Sequence, residues 1–224
     1  MLVFFIHGVN TPNCKYADTL IRNIKNNVRT PANFYSSFWG NLFINKKYQV
    51  IECIEKDFSR ACEKHKEYKE YHFDIYRYKR RRNELVNSFL GDFLIYQNPE
   101  RGKAIRKVIC EQLKQFLDDH PEQTKIHFIA HSLGSLILWD LLFSSTLPKD
   151  DPAFIFRKYL NDINLESIST LGSPLLFLKQ MLDIDFSIVN RALEEVYKKN
   201  FIESHKLRWV NIIHSSDLIA PIQI

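Results

Sequence analysis

KIHFIAHSLGSLILWDLLF, the stretch from Lys125 to Phe143, decides how the rest of the 224-residue sequence is read. Its apolar run, Ile126 to Ala130, predicts a strand buried on both faces of a sheet. His131-Ser132-Leu133-Gly134 follows, and then an apolar segment of good helix formers with Leu136, Leu138, Leu141 and Leu142, so a helix is expected at once. A strand, a very short turn and a helix, with a serine at the apex, is the layout of a nucleophile elbow. The tight turn pushes the hydroxyl out of the sheet's carboxyl edge, and small flanking residues let strand and helix pass close together. The usual pattern is Gly-x-Ser-x-Gly; Ala130 stands in the first glycine's place and keeps the small-residue requirement. The competing reading is a buried strand and helix whose connecting turn happens to hold a serine.

Upstream, Leu2 to Ile6 is β-branched and aromatic, a second strand, and His7-Gly8-Val9-Asn10 is the loop that leaves it. With these two elements in this order the chain resembles the α/β-hydrolase superfamily, and within it the lipase- and esterase-like serine hydrolases. The resemblance implies an α/β fold with a mostly parallel sheet of about five strands flanked by helices. It implies Ser132 as nucleophile. It also implies an oxyanion hole made of two backbone amides, that of Val9 after the His-Gly strand end and that of Leu133 next to the serine. His7, fixed at its strand end, is expected to be scaffold rather than base.

Further strands and helices fill in around these two. Tyr16, Leu20, Ile21, Ile24 and Val28 recur at helical spacing, so Tyr16 to Val28 reads as an amphipathic helix. Asn33 to Trp39 reads as the next strand. Ile105, Val108, Ile109, Leu113, Phe116 and Leu117 put an apolar stripe on a helix over 103–118, after a Pro-Glu-Arg-Gly turn at 99–102. Phe154 to Leu160 suits a short helix and Ile163 to Leu171 a strand. That strand ends in Gly172-Ser173-Pro174-Leu175, similar to a segment found after this strand in lipase-like hydrolases. Ser173, followed by proline and without an elbow around it, reads as wall or turn. Ile188, Ala192, Leu193 and Val196 mark another helix, and Lys206 to His214 a fifth strand. The whole reads as one domain over 1–224, with a charged, tyrosine-rich helical insertion at about 41–90 that outlasts a simple connection. Placed above the carboxyl edge, that insertion would be a cap governing access to Ser132; a helical appendage with no part in the site competes with this.

Composition narrows the class. A 45% hydrophobic, 25% charged chain suits a well-formed core, and no apolar run approaches a membrane span. Met1 to Ile6 is too short for a signal-peptide core and lacks a basic leader, so the expectation is a cytoplasmic protein or one exported without such a mark. Cys14, Cys53, Cys62 and Cys110 are too scattered for metal spacing and read as reduced thiols packed as small apolar groups. No metal or cofactor is called for. The net charge of +5 falls on the first half, much of it in Arg77, Lys79, Arg80, Arg81 and Arg82. That run could receive an anionic partner, nucleic acid or acidic lipid; a solvated helix face is the plainer account.

A serine hydroxyl needs a base to take its proton as it attacks. In the family the acid follows a later strand, and Asp217, in an Asp-x-x-Ala-Pro context, resembles that acid; its role would be to hold the histidine tautomer and stabilise the imidazolium. The family's histidine comes after one further strand, and no histidine follows Asp217 in this sequence. His214, three residues before Asp217, is the nearby substitute, although the family places acid and base on different loops. Three explanations stay open: a piece of a longer enzyme, a base from a partner protein, or a fold kept without full activity. The expected function is a serine hydrolase of carboxylic esters, lipid or acyl, through an acyl-enzyme on Ser132; the alternative is a catalytically incomplete module that acts by binding a partner.

Overall fold

The computed structural model describes residues 1–43, 56–57, 59–65, 91–175, 178–179, 185, 187 and 207–213. Asp217, His214, Cys53, the basic run at 77–82, the helix expected around 188–196 and most of 41–90 lie outside the described residues. Within them the fold is α/β: one sheet of five strands, every neighbouring pair parallel. In chain order the strands are β1 (Leu2–Ile6), β2 (Asn33–Ser37), β3 (Lys125–His131), β4 (Asn164–Leu171) and β5 (Arg208–Ile212), and in space they run β2-β1-β3-β4-β5. Besides helical residues at 56–57 and 59–64, the helices are α1 (Asp18–Asn27), entered through a 3₁₀ turn at Cys14–Ala17, then α2 (Asp92–Gln97), α3 (Pro99–Asp118), α4 (Leu133–Leu142) and α5 (Pro152–Tyr159). No described helix is long and apolar enough to cross a membrane.

Side chains alternate across the strands, and the two faces are unequally covered. Leu2, Phe4 and Ile6 of β1, Ile126, Phe128 and Ala130 of β3 and Ile168 of β4 join the main core. There they meet Ile105, Ile109, Leu113 and Phe116 of α3, the apolar side of α4, and Phe156 of α5. On the opposite face Val3 and Phe5 pack with Ala17 and with the half-buried Leu20, Ile21 and Ile24 of α1. β1 is buried throughout, but β3 is not the doubly buried strand its apolar run predicts: His127 and Ile129 are only half-buried. Apolarity cannot separate the two cases, because a half-covered isoleucine and a fully covered one read alike.

One boundary also differs. Pro99-Glu-Arg-Gly is not a turn but the first turn of α3, with Pro99 just inside the helix start and Asn98 as its cap, its side chain accepting from the Arg101 amide at 3.1 Å. Proline suits that first position, since the amide it lacks would have no partner there. Gly102 belongs inside the helix because a Cβ there would stand 2.4 Å from the Tyr96 carbonyl oxygen, where α2 ends against α3. Among the cysteines, Cys62 and Cys110 are buried as expected, whereas Cys14 is exposed.

Candidate functional site

Topology alone singles out one place. From β1 the chain moves through α1 to β2 on one side; from β3 it moves to β4 on the other. The carboxyl ends of β1 and β3 therefore flank a topological switch point, where the outgoing connections diverge and leave a crevice. Gly8 leaves β1 there, and Ser132 stands between β3 and α4.

Ser132 has φ 51° and ψ −126°. Only two described non-glycine residues have positive φ, Ser132 and Asn10 at 52°, and they lie on the two loops that meet here. Such a conformation costs of order 1–3 kcal/mol and persists only where its surroundings enforce it. Three contacts do so. The Ser132 amide donates to the Leu171 carbonyl at the end of β4 (2.9 Å), its carbonyl accepts from the Ser135 amide (3.0 Å), and the Ser135 hydroxyl donates to the same carbonyl (2.6 Å). Ser173 supports the last of these: buried, it donates its hydroxyl to Ser135 Oγ at 2.8 Å. Ser173 is therefore a buttress behind the turn, in keeping with its reading as wall.

Both loops can approach only because glycine is present. A Cβ on Gly8 would lie 2.6 Å from Ser132 Cβ, 2.7 Å from the His131 carbonyl oxygen and 3.1 Å from the Leu133 amide nitrogen. One on Gly134 would lie 2.5 Å from the Ile6 carbonyl oxygen. The first turn of α4 thus rides over the end of β1, and the β1 loop sits against the serine. The Val9 and Leu133 amides belong to these two backbones, and no described residue accepts from either. Leu133 opens α4, so its N–H is among those a helix start leaves without an intrahelical acceptor.

His7 is scaffold. It is buried, stacked on Trp39 with ring centroids 4.8 Å apart, and its Nε2 receives the Trp39 amide at 3.1 Å. An amide can only donate, so the ring proton sits on Nδ1 and goes to the Gly8 carbonyl at 2.7 Å. With its basic nitrogen occupied, His7 cannot take a proton from Ser132; it fastens the Gly8 peptide instead.

On sequence alone Asp92 could line the site, but a surface or capping aspartate is the plainer reading. In the structure Asp92 is 2% exposed, and its Oδ2 accepts from the Asn10 amide at 2.8 Å, across 82 residues of chain. A second buried polar set went unseen. Arg106 of α3 forms a bidentate pair with Asp151, Nε to Oδ1 at 3.0 Å and Nη2 to Oδ2 at 2.7 Å. Its Nη1 donates to the Tyr96 hydroxyl (3.1 Å), which donates to Asp140 Oδ2 on α4 at 2.6 Å. Burial pushes Tyr96 well above its usual range and Asp140 above the usual carboxylate range. Burial is the largest single influence on Arg106 and works against its charge, but Asp151 and Tyr96 together outweigh it and raise the guanidinium above its usual range. This set lines a cavity of about 810 Å³ between α3, α4 and the 144–151 loop. Burial raises the Cys110 thiol to about 11, so it is no thiolate nucleophile at neutral pH.

Comparison with known proteins gives a partial likeness. A curated protein of Saccharomyces cerevisiae, "Probable phospholipase YOR022C, mitochondrial", is 30% identical over 101 residues, which cover 43% of this chain and 13% of that protein. The likeness thus spans less than half of this chain and a small part of that protein. No protein-family model and no solved structure matches.

Proposed function

We propose that this chain is a serine hydrolase of the α/β-hydrolase type that cleaves carboxylic esters, lipid or acyl esters first among them. The observation that carries the reading is the backbone of Ser132: a serine held at positive φ between a parallel strand and a helix, at the topological switch point, against a glycine loop. The partial likeness to a protein named a probable phospholipase supports a hydrolase in general and points toward lipid substrates.

In this reading Ser132 Oγ attacks the ester carbonyl carbon as a base removes its proton. The carbonyl oxygen becomes an oxyanion that accepts from the Val9 and Leu133 amides. Collapse expels the alcohol, which takes the proton from the base, and leaves an acyl-serine; water then attacks the acyl carbon, returns the acid and restores Ser132. Asp217 is the acid that orients the base, and His214 the nearest candidate for the base.

A fluorophosphonate probe tests this. Wild-type protein should be labelled and Ser132→Ala should not; undiminished labelling of the alanine variant would remove Ser132 from the role. The second reading is a partner-binding module that does not turn over. An unlabelled wild-type protein would favour that module.

A further inference from the structure

We propose that Asp92 is a positioning residue for the oxyanion-binding loop, holding the Val9–Asn10 peptide in the one orientation that leaves the Val9 N–H aimed at the substrate. The inference rests on the serine-hydrolase reading and adds to it a residue outside the nucleophile, acid and oxyanion amides.

Asp92 opens α2, immediately after the 41–90 stretch, and reaches back to the loop after β1. Its carboxylate is buried, at 2% exposure, in a place where an ordinary helix-start aspartate would face water. Burying a carboxylate is costly unless strong hydrogen bonds compensate, and the one that reaches the loop is the 2.8 Å bond from the Asn10 amide. Asn10 is the other described non-glycine residue at positive φ. The bond therefore lands on the strained peptide of the loop. Asn tolerates this conformation better than most residues, but it still needs an outside hold.

Geometry turns that hold into catalysis. The amide that Asp92 grips belongs to the peptide that follows Val9, so fixing it fixes the ψ torsion of Val9 and limits how the Val9 N–H can swing. From the other side His7 Nδ1 donates to the Gly8 carbonyl, which shares a peptide plane with the Val9 N–H, at 2.7 Å. The Thr11 hydroxyl reaches the same carbonyl at 3.4 Å. The peptides on both sides of Val9 are therefore anchored, one through its carbonyl by His7 and the other through its amide by Asp92. An oxyanion donor works by being aimed before the charge develops, so loosening either anchor lowers turnover more than it lowers ground-state binding.

What Asp92 supplies, on this account, is an acceptor at a fixed reach and not a negative charge; a carboxylate close to a developing oxyanion gives no electrostatic advantage. Asn at 92 keeps the acceptor oxygen at the same reach without the charge. Glu keeps the charge and moves the oxygen by one methylene.

The experiment compares wild-type, Asp92→Asn, Asp92→Glu and Asp92→Ala proteins. The readouts are kcat and KM for p-nitrophenyl butyrate and the rate of fluorophosphonate labelling, with melting temperature followed alongside. Expected are a kcat loss of about tenfold or more for Asp92→Ala and Asp92→Glu with KM within about twofold, and Asp92→Asn within about threefold of wild type. If Asp92→Ala does not fold, the Asn and Glu variants carry the comparison. Glu active with Asn inactive would overturn the inference in favour of a charge role; all variants at the wild-type rate would overturn it outright. Failure of the underlying reading looks different: wild-type protein then shows no labelling that depends on Ser132, whatever stands at 92.

Discussion

At Gly8 a single hydrogen atom decides whether the two loops can meet. A methyl group there would fall 2.6 Å from Ser132 Cβ and 2.7 Å from a backbone carbonyl oxygen, neither of which is the free end of a flexible side chain. Gly8→Ala should therefore displace the β1 loop and take the Val9 amide with it. If Val9 is an oxyanion donor as proposed, the expected loss is that of one such donor, about 10²–10³ in kcat, against an overpacking cost to stability of about 1–3 kcal/mol. Labelling rate and thermal melting measured on the same preparation check this; a variant that melts early yet labels at the wild-type rate would place Gly8 in packing alone. The two glycines and the serine were legible in the sequence because each has a steric reason to be small or exposed at that point of a strand-turn-helix pattern. Asp92 was not, since its partner is a main-chain amide 82 residues away, and spacing says nothing about a bond to backbone. Asp217 and His214 stand as the sequence alone presents them.

The helices on the main-core side are fastened to one another by charge as well as by apolar contact. Arg106 and Asp151 are buried, with side-chain exposures of 5% and 1%, and Asp151 also caps α5 by accepting from the Ala153 amide at 3.0 Å. One carboxylate thus ties α3 to the start of α5, while Tyr96 extends the tie to Asp140 on α4. Removing one member of a buried pair leaves an uncompensated charge, so Arg106→Met should cost about 3–5 kcal/mol. The double variant Arg106→Met, Asp151→Asn should recover part of that loss, because asparagine can still cap α5. Chemical denaturation of wild type, Arg106→Met, Asp151→Asn and the double variant checks the cycle; additive losses would mean the two residues act independently. Periodicity located these helices but hid the tie. Arg106 sits next to Ile105 in the apolar stripe, and a long polar side chain there reads as a boundary residue until its partner is known. Asp151-Pro152 did carry a signal, a capping residue followed by proline at the helix start.

For the molecule as a whole, alternating apolar strands and amphipathic helices foretold a parallel sheet flanked by helices, because each strand, helix, strand unit demands a crossover of that kind. What patterning could not give was the unequal covering of the two faces or the spatial order of the strands, both of which depend on contacts between distant segments. That order has a consequence in time. β1 and β3 are neighbours from Leu2 against Ile126 to Ile6 against Ala130, yet most of the first half of the chain is synthesised between them. Loops that long close slowly and at an entropic cost, so this central pairing belongs to the late steps of folding. Until it forms, neither Gly8 nor the end of β1 lies against Ser132, and the turn is free to relax to ordinary torsions. On dilution from denaturant, labelling of Ser132 should return with the slowest phase seen in tryptophan fluorescence, not with an earlier helical burst; labelling that leads the slowest phase would contradict the order. A nascent chain would then carry an inert serine from the moment residue 132 is added until β1 has paired with β3, and its reactivity would report that the two halves of the sheet had found each other.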